Sequence, residues 1–302
     1  MKTPVEEYRK GLLFALGCYL IWGLFPLYWY PVTAAPIDAG QIMAQRVSWS
    51  AVFAVAVLLI MKQGNALFNV FADRRLLLTL ACSAAAISIN WLVYLWAISR
   101  HYILDASLGY FISPLVNIAF GRIFFKENLS RTQTAAIVLA LTGIMWLALP
   151  AGHVPWIALI LAVSFGVYSL LRKLAPVDAL TGMTVETLLM LPFALAYLGY
   201  TAIRGELVFG SLNTLQTAVV IGSGAVTVLP LLMFAAGAKR ISMSDLGMIQ
   251  YLSPSMQFFL GLTLFGETFD LQRFTGYAWV WLGIAVYIAG AGIKRQRTPA
   301  NR

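Results

Sequence analysis

The sequence predicts an all-α membrane protein: ten transmembrane helices laid out as two five-helix repeats, the second inverted relative to the first. Three observations predict it. First, 60% of the 302 residues are hydrophobic and 11% are charged, whereas a soluble domain carries about a quarter charged. With a mean hydropathy of +0.80, the chain has too few charges to solvate its outside, and the missing solvent is lipid. Second, apolar stretches follow one another with short basic gaps between them. Third, shifting the chain by 140 positions superimposes rare residues of the first half on identical ones of the second.

A span needs about 20 mostly apolar residues. On that basis the spans fall at 11–30, 39–61, 76–98, 104–125 and 132–149, then at 154–171, 179–202, 213–237, 243–265 and 274–293. The charged segment from Met1 to Lys10 leads into the first span with no small-residue cleavage site, so that span reads as retained and not as a signal peptide. The second span carries Arg46 and the seventh Glu186. The third shows Ser83, Asn90 and Tyr94 on one face, with Trp91 and Trp96 nearby, and the first supplies Trp22 and Pro26. The fifth and tenth carry Ala136 and Gly143, and Gly276, Gly283 and Gly290, while the sixth carries Ala158, Ala162 and Gly166. Such small residues mark close-packed seams. The segments around 62–75 and 203–212 read as the longest loops. No room is left for a separate soluble domain, so the chain divides as 1–150 and 151–302, one repeat each.

The net charge of +9 does not indicate nucleic acid, because the basic residues sit in the gaps between spans and not on one soluble face. Seventeen of the 21 Lys and Arg residues, Arg172 and Lys173 among them, fall on one side of the predicted topology. By the positive-inside rule that side is the cytoplasm, and both termini lie there. Cys18 and Cys82 sit within apolar stretches as small hydrophobes, and no ligand cluster suggests a metal or cofactor.

Under the 140 shift Arg100 meets Arg240, Asp105 meets Asp245, and Ser113-Pro114 meets Ser253-Pro254. Gly121, Phe125, Glu127 and Gly143 meet Gly261, Phe265, Glu267 and Gly283. Five spans per repeat is an odd number, so the second copy enters the membrane from the opposite side. Inverted repeats are the plan of many secondary transporters, with a substrate site near the midplane between the halves.

Two polar stripes keep one helical face: Tyr110, Ser113, Asn117 and Gly121 in the fourth span, and Gln250, Ser253, Gln257 and Gly261 in the ninth. They are expected to form the two walls of a central cavity, polar glue in a dry bundle being the alternative. Arg46 and Glu186 occupy equivalent positions. A charge inside a span costs a few kcal/mol, so it faces a cavity or a partner. The functional reading makes them substrate-facing or gating groups, with Glu186 a candidate proton acceptor. The other reading is a structural ion pair, or an Arg46 snorkelling to the surface. Aromatic walls with a few amides suit a flat, moderately polar ligand. The expected substrate-binding set is therefore Trp22, Arg46, Asn90, Tyr94, Tyr110, Asn117, Glu186, Gln250 and Gln257. Asp105 and Asp245 open helices, where a carboxylate suits the dipole. Glu127 and Glu267 follow theirs and should need basic partners, with Arg131 and Arg273 as candidates.

With Ser-Pro entering the fourth span of each half and Gly-x-x-x-Phe-x-Glu closing it, the sequence resembles the drug/metabolite transporter superfamily. The segments Gln45-Arg46-Val47-Ser48-Trp49-Ser50, Asn90-Trp91-Leu92-Val93-Tyr94, Gln250-Tyr251-Leu252-Ser253-Pro254 and Phe265-Gly266-Glu267 are similar to the RarD branch of EamA-type permeases, over residues 8–293. That resemblance implies a ten-helix carrier of the bacterial inner membrane associated with chloramphenicol sensitivity or resistance. The proton-coupling glutamate of smaller four-helix relatives has no counterpart between Gly11 and Tyr30. The expected function is a secondary permease, not an enzyme, moving a small organic molecule by alternating access, with proton coupling through Glu186 left open. Rival classes are a non-transporting scaffold or regulator, and a membrane-embedded enzyme, for which converging nucleophile–base or metal clusters would be needed.

Overall fold

Short polar signals start several of the long helices. Thr3 and Glu6 cap α1 (Pro4–Gly23) reciprocally, as Ser130 and Gln133 cap α7 (Arg131–Ala148) and Asn213 and Gln216 cap α10 (Thr214–Ala238). Asp38, Asp73 and Asp178 accept first-turn amides at the starts of α3 (Ala39–Ile60), α5 (Arg74–Ser99) and α9 (Ala179–Ile203). The remaining helices are α2 (Phe25–Trp29), α4 (Gly64–Ala72), α6 (Ile103–Phe125), α8 (Trp156–Leu174), α11 (Met243–Gln250), α12 (Leu252–Thr263) and α13 (Leu271–Arg297). This computed structural model describes residues 3–32, 35–100, 102–149, 154–266 and 268–297, and the regular structure among them is all helical. His101, His153 and Glu267 lie outside the described residues.

Several expectations need correction. The first span begins seven residues earlier than expected, at Pro4, and bends by 42° at Leu24 into α2. The segment 62–75 is no loop but holds α4, whose Val70 is buried while Phe68 and Phe71 stay exposed. The ninth span is interrupted at Tyr251, three residues before Pro254, and ends at Thr263. Its counterpart α6 runs unbroken through Pro114. Among the described residues seven helices are long and apolar enough to cross a membrane, eight if α1 and α2 count as one bent span. By this measure α11, α12 and α13 are not included.

Three antiparallel pairings organise the bundle. Along α7 and α13 the register runs backwards. A methyl at Gly143 would stand 2.5 Å from the Gly276 carbonyl oxygen, and one at Gly283 would stand 2.6 Å from that of Ala136. Glycine is required where backbones approach so closely. On α3 and α9, Tyr197 donates to Asp38 while Val52 lies beside Leu188 and Leu191. On α6 and α11, Gly121 meets Met243 and Ile118 meets Gly247. Around these, α3 packs on α10 and α5 on α9, α5 packs on α8 and α10 on α1, and α6 packs on α8 as α12 does on α1. Lys173 at the end of α8 donates to the Ala238 and Ile241 carbonyls after α10, and Lys239 returns the arrangement to Ala175 and Val177 after α8. Each lysine thus satisfies the free carbonyls of the other's helix end. Outward faces carry Leu13, Leu59, Leu78, Phe193 and Ile203, all exposed, the surface that lipid covers.

Candidate substrate site

The two polar stripes meet where α6 lies along α11 and α12, and they behave differently at the two ends. Asn117 Nδ2 donates to Gln250 Oε1 at 2.8 Å, and both residues are buried. Added methyls show how tight this end is: at Gly247 one would stand 2.6 Å from the Pro114 carbonyl, and at Gly121 one would stand 2.6 Å from Glu127 Oε2. Ser113 turns back to the Gly109 carbonyl, and Ser253 donates to the Tyr19 carbonyl. Of the expected walls, then, Asn117 and Gln250 bond to each other across the α6–α11 interface, and Asn117 Oδ1 stays buried without a hydrogen bond.

Glu127 closes this end. Its carboxylate accepts from Met243 N at 2.7 Å, Ser244 N at 3.0 Å and Ser244 Oγ at 2.6 Å. The expected basic partner is replaced by the amino end of α11, whose free amides and dipole attract a carboxylate. Asp245, one turn in, accepts the hydroxyls of Tyr8 and Tyr287, which ties α1 and α13 to the same spot.

At the opposite end the same two helices diverge. A half-open cleft of about 290 Å³ is lined there by Tyr110, Gln257, Phe258, Arg273 and Tyr277, with Asp270 and Ser107 near them. Tyr110 and Gln257 are the residues that the 140 shift exchanges with Gln250 and Asn117. The equivalent pair is closed at one end and parted at the other.

Behind the cleft wall lies Arg46. Its Nε donates to Thr227 Oγ1 at 3.2 Å, and its guanidinium stacks 4.7 Å over the ring of Trp91. Tyr94 and Tyr110 are near enough to act on it electrostatically, and their rings pack edge to face at 5.6 Å. Four helices, α3, α5, α6 and α10, converge on this cluster. Among the described residues no carboxylate pairs with Arg46.

The other expected residues lie elsewhere. Asn90 is buried and donates to the Leu161 carbonyl and to Ser164 Oγ, fastening α5 to α8. Trp22 packs into an aromatic core with Tyr19, Phe165 and Phe234, and its carbonyl accepts from Gln257 Nε2. Glu186 is paired with Arg172 at 3.5 Å, both fully enclosed. Arg172 Nη2 donates to the Ala179 carbonyl, whereas its Nη1 and Nε and one Glu186 oxygen have no hydrogen bond. This corrects the placement of Arg172 as a loop charge: the last turn of α8 is inside the bundle. Gly182, four residues before Glu186, leaves room for the guanidinium. That small residue one turn from a buried acid was a legible signal. Nothing local marked Thr227 as the partner of Arg46.

The pattern of the EamA-like transporter family matches residues 9–149. The chain is 38% identical to an uncharacterised transporter of Pseudomonas aeruginosa over 291 residues, 96% of this chain and 97% of the other. It is also 38% identical to protein RarD of Escherichia coli over 293 residues, 97% and 98% of the two. A second Pseudomonas aeruginosa protein, named chloramphenicol-sensitive protein RarD, is 28% identical over 282 residues, 91% of this chain and 92% of its own. A solved crystal structure superposes with a TM-score of 0.70 over 91% of this chain and 96% of that one. At 16% identity it speaks to the fold alone.

Proposed function

The chain belongs to the RarD branch of the EamA-like transporter family and is a multi-pass membrane transporter, and from that premise we propose a secondary permease of the bacterial inner membrane that carries a small organic molecule by alternating access. The carrying observation is the α6–α11/α12 interface, latched at one end and parted around a cleft at the other. In a carrier of inverted halves, 1–150 and 151–302, the same interface closes alternately at its two ends. Ten spans result when α1 with α2, and α11 with α12, are each counted as one broken span and α13 is added. The 140 shift supports the inversion. It converts the Gly143–Gly276 contact into the Ala136–Gly283 contact, and the α5–α8 pairing into the α10–α1 pairing.

With both termini in the cytoplasm, as the charge count favours, the Glu127 end faces the cytoplasm and the cleft faces outward. Tyr110, Gln257, Tyr94 and Arg46 are the substrate-facing residues. Asn117, Gln250 and Asn90 join them only when the inner end opens. Chloramphenicol is a reasonable first substrate because a relative is named for sensitivity to it. Proton coupling is favoured by one observation, the enclosed Glu186 carboxylate with an unbonded oxygen beside Arg172.

Counterflow of labelled chloramphenicol in proteoliposomes tests the reading. Flux is expected in the native chain and should stop when Ser107→Cys and Leu262→Cys are cross-linked across the cleft. Flux that survives the cross-link would remove the cleft from the pathway.

A further inference from the structure

Among the described residues two arginines lie within the helix bundle, Arg172 fully buried and Arg46 half-buried, and of these two Arg172 alone has an acid. Arg172 is matched by Glu186. Arg46 stands at the position that the 140 shift assigns to Glu186, and among the described residues it has a hydroxyl and an aromatic face but no carboxylate. It is the eighth residue of α3, about 10 Å along a helix that rises 1.5 Å per residue. A charge without an opposite partner inside a span is unfavourable, and a bound anion would offset it. The fork is also only half used. Nε is taken by Thr227, which leaves the two terminal nitrogens as donors in the planar geometry that receives a carboxylate end-on.

The surroundings define the rest of such a ligand. Trp91 covers one face of the guanidinium, Tyr94 and Tyr110 stand close by, and Tyr110 also lines the cleft. Tyr110 therefore borders both the open cleft and the arginine. From this geometry we infer that the permease site takes an organic monoanion, a carboxylate carried on a flat aromatic body, with Arg46 receiving the carboxylate and Trp91, Tyr94 and Tyr110 packing the ring. The inference rests on the transport reading of the cleft and narrows it to a charge class, whereas chloramphenicol is neutral and would engage only the ring-packing part.

Two probes of the same shape separate the possibilities. Binding of indole-3-acetate and of indole-3-acetamide to the full chain in nanodiscs is measured by titration calorimetry, for the native protein and for Arg46→Gln and Arg46→Lys. The acetate is expected to bind about tenfold or more tightly than the amide, the worth of one charge-assisted hydrogen bond. Arg46→Gln should abolish the difference, and Arg46→Lys should keep part of it through charge alone. Equal affinities, no binding of the acetate, or a preference untouched by Arg46→Gln each overturn the anion inference. Chloramphenicol counterflow, run in parallel, separates the two failures: flux without anion preference sinks only this inference, and absence of both sinks the transport reading as well.

Discussion

Replacing Glu127 by alanine removes three hydrogen bonds from the amino end of α11: two backbone amides and the Ser244 hydroxyl. Bonds to a charged acceptor are worth about 1.5–3 kcal/mol each when buried, and a helix cap about 1 kcal/mol. Glu127 is half-buried and water partly replaces what is lost, so about 2–4 kcal/mol is a fair sum for the latch. If these contacts exist only while the inner end is closed, the whole amount biases the closed–open equilibrium, a shift of roughly 30-fold or more. The reporter is Ile118→Cys, on a buried residue of α6 against Gly247. A Cys82→Ser background removes the exposed native thiol and leaves only the buried Cys18. Alkylation of the introduced thiol by N-ethylmaleimide should accelerate by that factor in Glu127→Ala and by less in Glu127→Gln, which retains an acceptor oxygen. A lowered melting temperature with unchanged alkylation would show that Glu127 merely stabilises its own helix end, and the latch reasoning would be wrong.

Other consequences follow from the same contacts. Glu186→Ala leaves Arg172 buried and alone, so stability in detergent should fall by about 3–5 kcal/mol, whereas the double change Arg172→Met with Glu186→Leu should recover most of it. A thermal melt of the three proteins decides this. Glu186→Gln should flatten the pH dependence of chloramphenicol counterflow if that carboxylate carries the coupled proton, and an unaltered profile would end its proton role. Gly143→Leu forces a side chain into the Gly276 backbone at the α7–α13 seam. Overpacking of this kind costs about 1–3 kcal/mol and should appear as a lower melting temperature with little effect on indole-3-acetate affinity.

What could be read from the chain was local or periodic. The apolar stretches and the small-residue seam of Gly143, Gly276 and Gly283 depend on residues close in sequence or repeated at a fixed shift, and the helices carry both. The structure added partners that no spacing encodes. Glu127 finds Met243 and Ser244 more than a hundred positions away, and composition near Glu127 offered only Arg131. Arg172-Lys173 has the look of any basic loop, but the close packing of α8 on α5 and α6 draws its last turn inward. The amide stripes were legible as spacing, yet whether an Asn and a Gln meet each other or line a void depends on how far two helices have separated. That is a property of conformation. At nine residues, α4 is too short for the span criterion that located its neighbours.

The most direct test measures the two ends of the α6–α11/α12 interface together. Spin labels at Ser107 and Leu262 report the cleft mouth, and labels at Lys126 and Arg240 report the latched end. Pulsed dipolar distances are compared between the native protein and Glu127→Ala in nanodiscs. Alternating access predicts opposite movements: the inner pair lengthens as the outer pair shortens. Distances that stay fixed in both proteins, or lengthen together, would contradict a carrier built from two inverted halves.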